Sequence, residues 1–355
     1  MKIFSKLFYF IPFLIFVLSV NVIVDPALLF STGEVEKEIA QELIKGNNIS
    51  SIYNYDERKV QINLINQMTK TPDVLAIGSS RVMQIRNYFF EDSYFINSGL
   101  SGATIEDIYG VIALYEQNDK LPKKIILGLD PWILNSNNDE VRWLPLKSYY
   151  IELSQKLEIE VTTTQTTKNI LKAYTDKLKE AFSFNYFQES VKMMSQNKNN
   201  SYYEVSLDSI NEIADTKLAD GSRLYNAKQF FRESEEVEKK AQSFIQNDKI
   251  RFLNDFDEVS NKNQELVLKL IEYLKQKNIE VTLLLHPYHP IVWDYFVKNK
   301  KYKNVIEAEK VFITIGKKTN TELVGSYDPN QINMKTPDFY DAYHLRPTAM
   351  QRLLE

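Results

Sequence analysis

Val74-Leu75-Ala76-Ile77-Gly78-Ser79-Ser80-Arg81 is a short apolar run that empties into a glycine, two small hydroxyl residues and an arginine. The pattern predicts a buried strand, a tight turn and then a helix-like segment. In open α/β sheets the carboxyl ends of the strands are where ligands bind. A serine on a strand-to-helix turn can be a nucleophile, with its own backbone N–H aimed at an oxyanion. Gly-Ser-Ser is also common in ordinary turns, where the serine caps a helix. The reading therefore needs a base elsewhere in the chain.

Three histidines are available: His286, His289 and His344. Asp341-Ala342-Tyr343-His344 places a carboxylate three residues before the last of them. Such an Asp can accept from one imidazole nitrogen and leave the other facing a serine. Ser80, Asp341 and His344 are the candidate catalytic residues, with Asp338 a second choice as orienter. His286 and His289 follow a strand, but Pro287 and Pro290 fix an irregular backbone and no third ligand stands at metal spacing. They predict substrate contact or loop packing rather than a metal, with His289 the more exposed. Arg81 is placed to hold a phosphate or carboxylate of a substrate, or to pair with a nearby acid. Trp132 and Trp143 are candidates for stacking on a sugar ring or for plain core.

With 355 residues the chain can hold one large domain or two small ones, and 44% hydrophobic with 12% aromatic residues suit a packed core. A net charge of −4 gives no reason to expect nucleic acid as a partner. The absence of cysteine excludes a thiol nucleophile, a CxxC metal site and disulfides. Lys2 and Lys6 flank an uncharged run of 18 residues, Leu7 to Val24. This predicts an uncleaved membrane anchor over residues 1–25, positive end inside, with a cleaved signal peptide as the rival. Either places the rest outside the cytoplasm.

Residues 26–71 read as a stalk and lead-in helix. Alternating strands and helices from residue 72 predict α/β architecture with parallel pairing. Strands are expected at Val74–Ile77, Tyr94–Asn97, Lys124–Leu129, Glu280–Leu285 and Glu322–Tyr327. A helix capped by Thr104, with Asp107 three residues on, is expected to reach Gln117. The polar segment of about 135–255 reads as a helical insert that caps the site, and it includes the run Thr162 to Thr167.

Gly78-Ser79-Ser80 resembles the first block of SGNH (GDSL-type) hydrolases, with Ser79 where Asp usually stands. Asn97-Ser98-Gly99-Leu100-Ser101-Gly102 resembles the second block, whose glycine donates a backbone N–H. Asp341 to His344 resembles the last block. Order and spacing agree from about residue 70 to the end, apart from the insert. The likeness is stronger to membrane-anchored SGNH proteins that esterify cell-wall or exopolysaccharide chains, such as teichoic-acid D-alanylation and alginate-acetylation proteins. The resemblance implies a three-layer α/β/α sandwich with a parallel sheet, and Ser80 and Gly102 as oxyanion donors. It also implies acyl transfer to a polysaccharide or teichoic-acid-like polymer, beside a polytopic membrane acyltransferase and without a cofactor. One block departs from the pattern: in Gly128-Leu129-Asp130-Pro131-Trp132, Asp130 stands where an oxyanion-binding Asn belongs. An ionised carboxylate cannot donate, and losing one donor costs about 10²–10³ in rate. Asp130 is therefore expected at the substrate site, either turned away or protonated. The other readings are a carbohydrate esterase acting alone and a non-catalytic polymer-binding protein of the same fold.

Overall fold

Val74–Ile77 forms strand β2, and both of its faces are buried. Leu75 and Ile77 enter one apolar cluster, while Val74 and Ala76 enter another. A strand sends successive side chains to opposite faces, so an unbroken apolar run is what a strand covered on both sides requires. The structure, a computed structural model, describes residues 2–26, 28–30, 32–52, 55–161, 171, 174–175, 177–195, 202–206, 210–246 and 250–355, with backbone alone for 2–10.

Four further strands join β2 in one sheet: β3 (Phe95–Asn97), β4 (Lys124–Gly128), β8 (Glu280–Leu285) and β9 (Glu322–Gly325). Their order is β3-β2-β4-β8-β9, and every pairing is parallel. The fold is therefore mixed α/β with a five-stranded parallel sheet. The chain passes from β2 outward to β3 and then back across to β4. The topological switch point, where such sheets bind ligands, lies between β2 and β4. The turns after these two strands carry Ser80 and Asp130.

Helix α4 (Ile105–Gln117) covers one face, and at its start Asp107 Oδ2 accepts the Thr104 backbone N–H at 3.0 Å. Helices Asn261–Gln276 and Lys303–Thr319 contribute to the same core. The C-terminal helix Pro347–Leu354 buries Ala349 and Met350 against the other face.

The lead-in segment is built into the domain. Helices α2 (Glu34–Ile44) and α3 (Glu57–Gln67) bury Ile39, Leu43, Val60 and Leu64 together. Between them strand β1 (Asn48–Ser50) pairs antiparallel with β5 (Glu204–Ser206) and β6 (Thr216–Lys217), and β6 pairs with β7 (Arg223–Leu224). The insert is thus not purely helical as expected. Beside helices α5 (Lys147–Lys156), Phe184–Ser195 and Ser234–Gln246, it supplies three of the four strands of a second sheet. The Thr162–Thr167 run lies outside the described residues.

Helix α1 spans Lys2–Val24. Among the described residues no helix is long and apolar enough to cross a membrane. Within its described part Phe13, Ile15, Phe16 and Ile23 are exposed, while Asn21 is buried and donates to the carbonyls of Ala181 and Ser183.

Candidate active site

The turn after β2 brings Ser80 to the loop that ends in His344, across 264 positions of sequence. The Ser80 Oγ lies 2.9 Å from His344 Nε2. On the other side of the ring, Nδ1 lies 2.9 Å from Asp341 Oδ2. Asp341 Oδ1 also accepts the backbone N–H groups of Tyr343 and His344, each at 3.0 Å. Burial alone would raise the Asp341 carboxyl, but the His344 ring and these hydrogen bonds overcome it and hold it low, at about 2. An ionised carboxylate on Nδ1 fixes the tautomer in which Nε2 accepts a serine proton. The His344 ring lies 4.3 Å from the Tyr343 ring and 6.0 Å from that of Tyr225 of the insert, centroid to centroid. The three predicted catalytic residues are brought together.

Gly78 makes the turn possible by close approach. A Cβ there would meet Val82 Cγ1 at 2.8 Å and the Gly128 carbonyl at 3.0 Å. The serine turn therefore nests directly against the end of β4.

Asp130, next after Leu129 on that side, is buried and paired with Arg81 at 2.9 Å. Burial raises its carboxyl above the ordinary range, opposed by the Arg81 charge and the Ser79 hydroxyl. Arg81, expected to reach a substrate anion, is fully buried instead. Its Nη2 donates to the carbonyls of His286 and Pro287, its Nε donates to that of Tyr343, and its guanidinium lies 4.5 Å over the Tyr288 ring. One side chain thus ties the ends of β2, β4 and β8 to the loop bearing His344. Four of the five guanidinium N–H groups are spent in this way, and the side chain is buried away from any ligand.

Gly102 sits in the β3–α4 loop at φ +59, a left-handed conformation that disfavours any side chain. A Cβ there would meet Arg142 Nη2 at 2.5 Å and the Phe252 ring at 2.7 Å. The loop is fastened from α3: Glu57 accepts the Ser101 hydroxyl at 2.9 Å and its backbone N–H at 2.5 Å, and Arg58 donates to the Ser101 carbonyl. Arg58 also grips Asp107 with two hydrogen bonds, at 3.0 and 2.9 Å. Trp132 Nε1 donates to the Ala103 carbonyl at 3.0 Å. Among the described residues no acceptor takes the backbone N–H of Ser80 or of Gly102. Asn97, by contrast, spends its amide on the carbonyls of Val82 and Ile85.

His289, expected as an exposed substrate contact, is buried: its Nδ1 caps the helix Pro290–Lys298 and its Nε2 meets Thr336 Oγ1 at 3.1 Å. Trp132 and Trp143 are also buried, at 7% and 5% exposure, and serve the core. His286 is buried beside Arg81 and His344, and burial with those two neighbours pushes its pKa well below the ordinary value. Among the described residues no three His, Cys, Asp or Glu side chains gather as a metal site. Glu57, Arg58 and Tyr225 went unread in the sequence. Nothing in their local pattern distinguishes them, since each acts through a partner more than 40 positions away.

No protein-family model matches the chain, and no curated protein matches it in sequence.

Proposed function

We propose that this chain performs serine-dependent acyl-ester chemistry, in keeping with the SGNH-like motif order and a three-layer α/β/α arrangement. The observation that carries the reading is the chain of contacts Ser80–His344–Asp341, at 2.9 Å on each side of the ring. Ser80 Oγ would attack the carbonyl carbon of an acyl ester and pass its proton to His344 Nε2. The free N–H groups of Ser80 and Gly102 would donate to the tetrahedral oxyanion. Collapse would expel the alcohol of the donor, which takes the proton back from His344. An acceptor hydroxyl would then attack the acyl-enzyme and give its proton to the same nitrogen; the Ser80 Oγ–acyl bond would break as the ester leaves on the acceptor, and Ser80 would take the proton back from His344.

We favour a sugar hydroxyl of a cell-wall or exopolysaccharide polymer as acceptor, which makes the chain an O-acyltransferase. Water as acceptor makes it a carbohydrate esterase. The uncharged run Leu7 to Val24 after Lys2 and Lys6 is the ground for placing transfer at a membrane, with the domain outside the cytoplasm and a polytopic acyl donor protein beside it. The non-catalytic reading is weakened because Asp130 is half of a buried ion pair with Arg81, which offsets its charge.

The test incubates full-length protein in a neutral detergent with a chromogenic acetyl ester, with and without a polysaccharide acceptor. Acetyl ester appearing on the polysaccharide, and absent with Ser80→Ala, supports transfer. Release of acetate alone identifies an esterase. No turnover by folded protein with either acceptor contradicts the ester chemistry.

A further inference from the structure

Arg142 and Arg251, both from the insert, converge on one ring. The Arg251 guanidinium lies 4.8 Å over Phe252, and that of Arg142 lies 5.9 Å from it. Phe252 is held at φ +69 while its carbonyl accepts from Asn135 Nδ2 at 2.9 Å. Its ring and Arg142 Nη2 fill the space over Gly102, the loop glycine of the ester site. Arg142 therefore lies against the Gly102 loop, and Arg251 lies next to it across the Phe252 ring.

Their charges are not balanced. Glu140 takes Arg142 through Nε at 2.8 Å and Nη2 at 2.5 Å. The same carboxylate is the one ion-pair partner of Arg251 among the described residues, at 3.5 Å. Two cations share one anion, and the Arg251 side chain is 73% exposed. The neighbouring Arg58 adds nothing, because Asp107 neutralises it. A guanidinium left exposed on an aromatic ring, beside a second one, suits a planar or tetrahedral oxyanion bound by paired N–H groups.

We propose that Arg251 and Arg142, set around Phe252, form an anion subsite at the rim of the Ser80 cleft that takes a phosphate or carboxylate of the acceptor polymer. This inference rests on the ester-chemistry reading for its purpose. Buried Arg81 has no part in it.

The test measures binding of three oligomers to full-length protein in neutral detergent at low salt: a glycerol-phosphate chain, an oligogalacturonate and a neutral malto-oligosaccharide. The native protein is expected to bind one charged oligomer more tightly than the neutral one. Which of the two it prefers separates a phosphate source from a carboxylate source. Arg251→Ala is expected to weaken that binding about tenfold or more, and Arg251→Glu further. The exposure of Arg251 makes both variants safe for folding. Charged-oligomer binding unchanged in both Arg251 variants and in Arg142→Ala overturns the proposal, as does equal binding of all three oligomers by native protein. Labelling of Ser80 by a fluorophosphonate in the same samples separates the two claims. Labelling with arginine-independent binding overturns the subsite alone. Arginine-dependent binding without labelling supports the subsite and overturns the ester chemistry.

Discussion

A carboxylate at position 130 would oppose an oxyanion, and its pairing with Arg81 offsets that charge. The pair is buried on both sides and carries no net charge. Breaking a buried pair by removing one partner costs about 3–5 kcal/mol, because the other charge is left uncompensated. Asp130→Asn, which restores the residue expected in that block, should therefore lower thermal stability by about that amount and leave ester cleavage no faster. A faster variant would show that Asp130 burdens the oxyanion site. Asp341 has a second, pH-dependent signature. Its carboxyl is held at about 2 in the folded protein, below the value of ~3.9 for an unfolded chain. In that window the unfolded state binds more protons, so the stability from Asp341 is complete above about pH 4 and drains away as the pH falls through 2. Its size is about 2 kcal/mol. Denaturant melts at pH 5 and pH 2.5 should show a loss that is smaller in Asp341→Asn by a similar amount. The same variant should cut Ser80 reactivity at neutral pH by roughly 10²–10⁴, since the imidazole loses the partner that fixes its tautomer.

Among the elements, the Gly102 loop depends on a helix that looked featureless. Val60, Leu64 and Ile65 of α3 have helical spacing and do turn to the core, yet the use of α3 lies in Glu57 and Arg58 on its first turn. Glu57 stays ionised below the usual carboxylate range: burial opposes this, but Arg223, Arg58 and Lys217 surround it. Glu57→Gln should loosen Ser101, displace the Gly102 N–H and lower kcat for a chromogenic ester about tenfold with little change in KM, since a donor moved rather than removed costs less than its loss. An unchanged kcat would detach this helix from the site. The inner strands of the parallel sheet were legible because they are apolar runs bounded by turn residues, and Val74–Ile77 and Glu280–Leu285 were placed to the residue. The second sheet was not legible. Its strands are two or three residues long, and Asn48 pairs with Ser206 across most of the insert, so no local periodicity marks them. The Ser80–His344–Asp341 grouping was legible because histidine is scarce, with three in the chain, and one of them follows an Asp by three residues. Arg81 stayed open between a substrate anion and a nearby acid because an arginine after a serine turn reads the same whether it points to solvent or into the sheet; the structure pairs it with Asp130.

Across the whole molecule α1, the insert and the Ser80–His344 site are joined by polar ties. Asn21 binds the carbonyls of Ala181 and Ser183, and Asp25 accepts the Tyr186 hydroxyl at 2.6 Å. The insert in turn meets the His344 loop, where Arg232 donates to the Tyr340 carbonyl and Arg346 donates to the carbonyls of Phe230 and Arg232. If α1 is a membrane anchor, these ties hold the cleft at a set distance from the bilayer. The full chain should then stay with membranes after an alkaline wash, and protease added outside intact spheroplasts should digest its domain. Release by the wash, or protection from the protease, would count against an extracytoplasmic anchor reading. The central claim is an activated serine, and one measurement reaches it most directly. Full-length protein is treated with a fluorophosphonate and the modified residue is located by mass spectrometry, beside folded Ser80→Ala and His344→Ala. The account predicts modification at Ser80 in the native protein and none in either variant. Folded native protein that stays unmodified, or label on Ser80 that does not depend on His344, would contradict it.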